Sequence, residues 1–178
     1  ELKLYGTADQ DVDEEGKVRA ASSYDLDTVI SQTVSWKRGT SDNTVFTADF
    51  LNNVSSTASD WTVLFLGRLG IAEDYNAFLN RASAYVKDLY DKNPSTGLST
   101  NTPTEWHRLT MAVLAAGGDP TDVGGHDLIA DGTYNCLAGA PWEQGMNGAA
   151  WALLALDSKG YEVPEKAKYT REDLISYI

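Results

Sequence analysis

Apolar residues recur at helical spacing along most of the chain, and polar residues fall where helices would start and stop. Leu26, Val29, Ile30, Val34 and Trp36 or Lys37 lie near one helical face, with Asp25 and Asp27 in the first turn and Lys37, Arg38 and Gly39 closing it, which predicts a first helix. After a polar loop at 40–44, residues 45–52 read as a short helix or turn that packs Phe46, Phe50 and Leu51. The next helix starts at Ser59-Asp60 and runs to Gly70. Trp61, Val63, Leu64, Phe65, Leu66 and Leu69 make it apolar nearly all round, so it should be buried on most sides. Residues 74–91 instead set Phe78, Leu79, Ala82, Tyr85, Val86, Leu89 and Tyr90 on one face. Pro103, Thr104 and Glu105 suit the start of a further helix, apolar from Trp106 until Gly117-Gly118 stops it. A short helix is expected around 126–130, and another over 143–158, rich in small residues that permit close helix approach. Thr170, with Asp173 three residues on, begins a last helix that still runs at Ile178. Residues 1–16 show no such period, and 1–23 are expected to be an acidic, extended or poorly ordered N-terminal segment. The helical repeat domain is then 24–178.

Superposing the apolar helices exposes an internal repeat: Trp61, Trp106 and Trp151 recur at intervals of 45 residues. Each opens a unit of Trp, apolar stretch, Gly and a more amphipathic segment, with repeats near 59–103, 104–140 and 141–178. The Gly offset slips by two residues in the middle unit. Two helices per unit at this period predict an all-α array of stacked helical hairpins. Alternation of all-round apolar helices with one-sided ones suits a double-layered ring, and the repeated tryptophans are expected in its core.

The stretch PTEWHRLTMAVLAAGGDP…DLIADGTYN…QGMNGAAWALLALDSKGYEVP…YTREDLISYI resembles the prenyltransferase and squalene-oxidase repeat proteins that bacteria secrete or display, of the terpenoid-cyclase-like α/α-toroid superfamily. The resemblance implies an α/α-toroid-like arrangement, here an incomplete ring, with an extracellular or cell-surface location. It does not choose an activity, because that superfamily holds cyclases, protein prenyltransferases, thioester domains, cobalamin carriers and pectate lyases. Its motifs are broken here. No Asp-x-Asp-Asp of a class II cyclase occurs; Tyr134 stands where the Asp of a zinc-binding Asp-x-Cys pair would precede Cys136; and Pro141-Trp142 replaces the Cys-Gly of a Cys-Gly-Glu-Gln thioester before Glu143 and Gln144.

Composition narrows the partners rather than the fold. A formal charge of -12 over 178 residues opposes phosphate backbones and anionic lipid, which argues against nucleic acid and membrane-surface binding. No apolar run approaches a membrane span. Cys136 is the one cysteine, so no intrachain disulfide forms. Glu1 in place of Met marks a processed product or an excised piece, and an arc with exposed repeat ends is expected to self-associate.

Candidate chemistry is sparse. Inner helices of a toroid run parallel and would bring Asp60, Glu105 and Glu143 to one mouth, where Glu105, Trp106, His107, Arg108, Trp142, Glu143 and Gln144 form a candidate ligand pocket. The plainer alternative has each acid complementing a helix N-terminus and His107 as a satisfied buried polar residue. Asp11, Asp13 and Glu15 with Gly16 match the first half of a calcium loop, but Ser22 stands where the bidentate acid belongs. Trp36, Trp142, Tyr134 and Tyr161 are candidates for sugar stacking or for packing. No catalytic residue, metal or cofactor is assigned. The expected function is a non-catalytic binding or scaffold module for a small molecule, glycan or protein; the alternative is a toroid enzyme, lyase or cyclase-like, working at that polar mouth.

Overall fold

A computed structural model describes residues 25–40 and 43–178. The acidic N-terminal segment and the calcium-loop candidates Asp11, Asp13 and Glu15 lie outside the described residues. The chain divides into two units, 1–43 and 44–178. In the first, α1 (Leu26–Arg38) is capped by Asp25, whose carboxylate accepts from the Asp27 amide, and is closed by Gly39 at φ 55. Both ends match the sequence reading.

The second unit contains α2 (Ala48–Asn52), α3 (Thr57–Arg68), α4 (Tyr75–Lys92), α5 (Thr104–Ala115), α6 (Met146–Asp157) and α7 (Arg171–Tyr177). Among the described residues the protein is all-helical, with a single isolated bridge between Val123 and His126 in place of any strand. The three helices that carry the repeated tryptophans end alike. Gly70, Gly117 and Gly160 all adopt positive φ (67, 83 and 68) just past α3, α5 and α6. The next amide then reaches back to the last turn: Ile71 to Leu66, Gly118 to Val113 and Tyr161 to Leu156. This is the left-handed turn that glycine permits, so the recurring Gly of the sequence is a recurring helix stop.

α3 and α5 lie side by side and parallel. Arg108 meets Asp60 near their N-termini, while Gly67 meets Ala115 near their C-termini, so closely that a Cβ on Gly67 would fall 2.2 Å from the Ala115 carbonyl oxygen. α6 packs on α5, α7 and the π-helical turn Ala130–Tyr134. Trp61 of α3 meets Trp151 of α6 edge to face, ring centroids 5.5 Å apart. The core is filled by Val63, Leu66, Phe78, Val86, Trp106, Leu109, Val113, Leu128, Ile129, Leu156 and Leu174.

Two expectations for the repeat change. Trp106 is fully buried, but Trp61 is 44% exposed and shares its open side with Phe65 and Leu69. α3 therefore buries one flank, not most sides, because α5 covers it from one direction only. The helix expected around 126–130 is displaced as well. Gly124 and Gly125, at φ 64 and 84, reverse the chain, and Val123 and His126 exchange backbone hydrogen bonds across the turn. The missing Cβ of Gly124 lets this turn press on α4, where a Cβ would sit 2.3 Å from the Ser83 carbonyl. Asp127 then caps the amides of Ile129 and Ala130, and the chain winds into the π-helical turn.

Candidate functional site

The parallel start of α3 and α5 brings part of the expected polar mouth together. The Arg108 guanidinium donates Nε–H to Asp60 at 2.9 Å, is bidentate to Glu105, and also donates to the Ser55 carbonyl at 2.9 Å. Ser55 is a non-glycine residue at φ 64, a left-handed position that points its carbonyl at the cation. Asp60 is almost wholly buried, and desolvation outweighs the attraction of Arg108, pushing its carboxyl up to about 6. Its Oδ1 has no hydrogen-bond partner.

The other expected members lie elsewhere. His107, one residue along α5 from Trp106, is fully buried; its Nε2–H donates to the Gly132 carbonyl at 2.8 Å, and Nδ1 has no partner. Burial drives its pKa down to about 4, so the ring is neutral. Trp106 donates its indole N–H to the Tyr90 hydroxyl at 2.8 Å inside the core. Trp142 stacks on Tyr177 and meets Tyr169 edge to face. Glu143 lies against Gly139. Gln144 accepts from the amide and hydroxyl of Thr104 through Oε1, capping α5, whose own N-cap residue is Pro103 and offers no side-chain bond. Glu105 and Arg108 are thus brought together with Asp60, while Trp106, His107, Trp142, Glu143 and Gln144 are spent on packing and capping.

Among the concavities outside that set, two of the larger ones are lined by described residues. The first, about 430 Å³, lies between the C-terminal halves of α3, α5 and α6; Leu64, Met111, Leu114 and Leu154 line it, with Arg68 and Asp157 at its rim. The second is a cleft of about 510 Å³ bounded by Tyr90, Asp91, Pro94, His126, Asp131 and Leu137. Here side chains from three segments converge. The His126 ring stacks on Tyr90 with centroids 3.8 Å apart, and the Tyr90 hydroxyl, accepting from Trp106, donates to Asp131 Oδ2 at 2.7 Å. Gly97 approaches the back of the Tyr90 ring, where a Cβ would clash at 2.7 Å.

The electrostatics of the cleft are those of a carboxylate short of compensation. Partial burial first, and then the nearby Asp127 charge, raise the Asp131 pKa against the opposing Tyr90 hydrogen bond and the His126 interaction. Burial, with Asp131 and Asp127 nearby, also raises Tyr90, so the phenol keeps its proton and can only donate to Asp131. Among the described residues, Asp131 Oδ1 and both ring nitrogens of His126 have no hydrogen-bond partner. None of these atoms is sealed from solvent. Cys136 is buried, its thiol pushed up to about 11 by desolvation, which leaves it a poor nucleophile. Among the described residues no three His, Cys, Asp or Glu side chains are grouped to hold a metal ion, and no helix is long and apolar enough to cross a membrane.

The sequence sets His126 directly after Gly124 and Gly125 but does not by itself reveal its partners. The signal that could have found them was local: two glycines forcing a reversal, then a histidine and two spaced aspartates, Asp127 and Asp131. No family model matches the chain, and no curated protein or solved structure is significantly similar to it.

Proposed function

We propose that the chain is a non-catalytic binding or scaffold module whose ligand occupies the His126 cleft. The observation that carries this is the open Asp131 Oδ1 beside unpartnered His126 nitrogens, on walls fixed by the Trp106, Tyr90 and Asp131 hydrogen-bond chain. Preset walls of this kind hold a ligand without the ordering cost that a loose site would incur. An arc of an α/α toroid is part of the proposal, supported by the parallel packing of α3 and α5 and by the closing turn that α3, α5 and α6 share. Secretion or surface display rests on the sequence resemblance. The enzyme alternative at Glu105, His107 and Glu143 draws no support from side chains held in three separate environments.

Because His126 and His107 are the two histidines of the chain, their imidazole proton signals in NMR separate the cleft from the core. Butylamine, methyl glucoside, N-acetylglucosamine and inorganic phosphate are titrated in turn. At least one should move the His126 signals saturably, leave those of His107 in place, and be recovered unchanged. Silence of His126 toward every probe, or chemical conversion of a bound one, overturns the proposal.

A further inference from the structure

We infer that the His126 cleft takes an organic ammonium ion on a short aliphatic stem, with Asp131 and Asp91 as its counter-ions. The inference rests on the reading of the cleft as a binding site and adds the class of ligand.

The side chains facing the cleft decide the class. Tyr90 is saturated, accepting one hydrogen bond and donating its only proton to Asp131. What remains are carboxylate oxygens, on Asp131 and Asp91, together with the His126 imidazole; Pro94 and Leu137 are apolar. The two carboxylates can only accept, so acceptors outnumber donors on these walls. A sugar or other polyol presents hydroxyls that both donate and accept, and it would leave part of that pairing unmet. An ammonium group presents donors alone.

Charge points the same way. Asp91 and Asp131 line the cleft, and Asp127 is close enough to act on Asp131. Lys87 pairs with Asp91 at 2.7 Å on the exposed surface, and no lysine or arginine among the described residues pairs with Asp131. An ammonium at Asp131 Oδ1 would supply the missing countercharge to a carboxylate that the fold has partly stripped of water. The chain's formal charge of -12 favours the approach of a cation and opposes an anion. Pro94 and Leu137 provide contact for an aliphatic stem.

The test uses the whole chain and a matched set of butylamine, butanol and butyrate, with methyl glucoside as the polyol, read by the His126 imidazole signals. Butylamine should shift them saturably, with affinity falling as salt is added, while butanol and butyrate should leave them unmoved. Asp131→Asn keeps an acceptor for Tyr90 and should weaken butylamine about tenfold or more. Asp91→Asn, at an exposed position that cannot unfold the core, should weaken it in the same direction. Binding of butanol or methyl glucoside as tightly as butylamine, or retention of full affinity in both variants, overturns the cation inference and leaves the cleft a binding site. Silence toward all four ligands overturns the cation inference, and silence toward N-acetylglucosamine and inorganic phosphate as well overturns the binding reading on which it rests.

Discussion

Asp60 and His107 titrate against each other, and their opposition can be measured. Burial raises the Asp60 pKa from 3.8 to about 6 and lowers that of His107 from 6.5 to about 4. The folded protein therefore holds the Asp60 proton more tightly than the unfolded chain does. The stability linked to Asp60 is complete below pH 3.8 and is lost as pH rises through about 6. His107 has the reverse sign: its contribution is complete above pH 6.5 and is lost as pH falls through about 4. At about 1.4 kcal/mol per pKa unit, acidification from about pH 7 to about pH 4 adds about 2 kcal/mol through Asp60 and removes about 3 kcal/mol through His107. The two nearly cancel. Urea unfolding followed by tryptophan fluorescence, for the parent, Asp60→Asn and His107→Gln, isolates each group as the pH dependence of a difference. Relative to the parent, Asp60→Asn should lose about 2 kcal/mol over that pH range, and His107→Gln should gain about 3 kcal/mol, whatever fixed cost each carries. Differences that stay flat with pH would refute the reasoning, since they would mean that neither group is desolvated as its position implies.

Gly67→Ala should destabilise by about 2 kcal/mol or more in the same assay, because its Cβ would meet the Ala115 carbonyl and part α3 from α5; a neutral result would contradict that contact. Trp106→Ala should cost about 3 to 5 kcal/mol, whereas Trp61→Ala, at a 44% exposed site, should cost less than about 2 kcal/mol; equal losses would be inconsistent with the burial difference. Thr170→Ala removes one half of a capping box with Asp173 and should cost about 1 kcal/mol, with amide exchange quickened in α7 and unchanged in α4.

The positions that were legible from sequence are those whose cause is local. Asp25, Asp74 and Thr170 cap the helices they precede, Gly39 and Gly117 stop the helices they follow, and the 45-residue tryptophan period finds three helices that close with one kind of turn. Residues whose role depends on distant partners were not legible. An apolar α3 says nothing of how many neighbours will arrive, so Trp61 and Phe65 remain partly in water. The meeting of Asp60 with Glu105 and Arg108 is the exception, because the repeat itself implied that α3 and α5 start side by side; Glu143, expected with them, lies instead against Gly139. The His126 cleft needed Gly124 and Gly125 to fold the chain back onto α4, and the stack on Tyr90 follows from that. Spacing within a helix carries no information about such a return.

Gln144 completes α5 from beyond it in the chain, accepting the first amide of a helix that begins forty residues earlier. The helix of the middle repeat is thus unfinished until the loop leading to α6 is in place. The repeats cannot act as interchangeable beads that melt one at a time: loosening the 142–145 turn uncaps its predecessor, and loss of α5 strips α3 of its main neighbour. Nearest-neighbour coupling of this kind makes unfolding spread backward along the chain, toward the N-terminus, from a break in the last repeat. A polypeptide shortened before Gln144 would lack not merely its final repeat but the closure of the one before it.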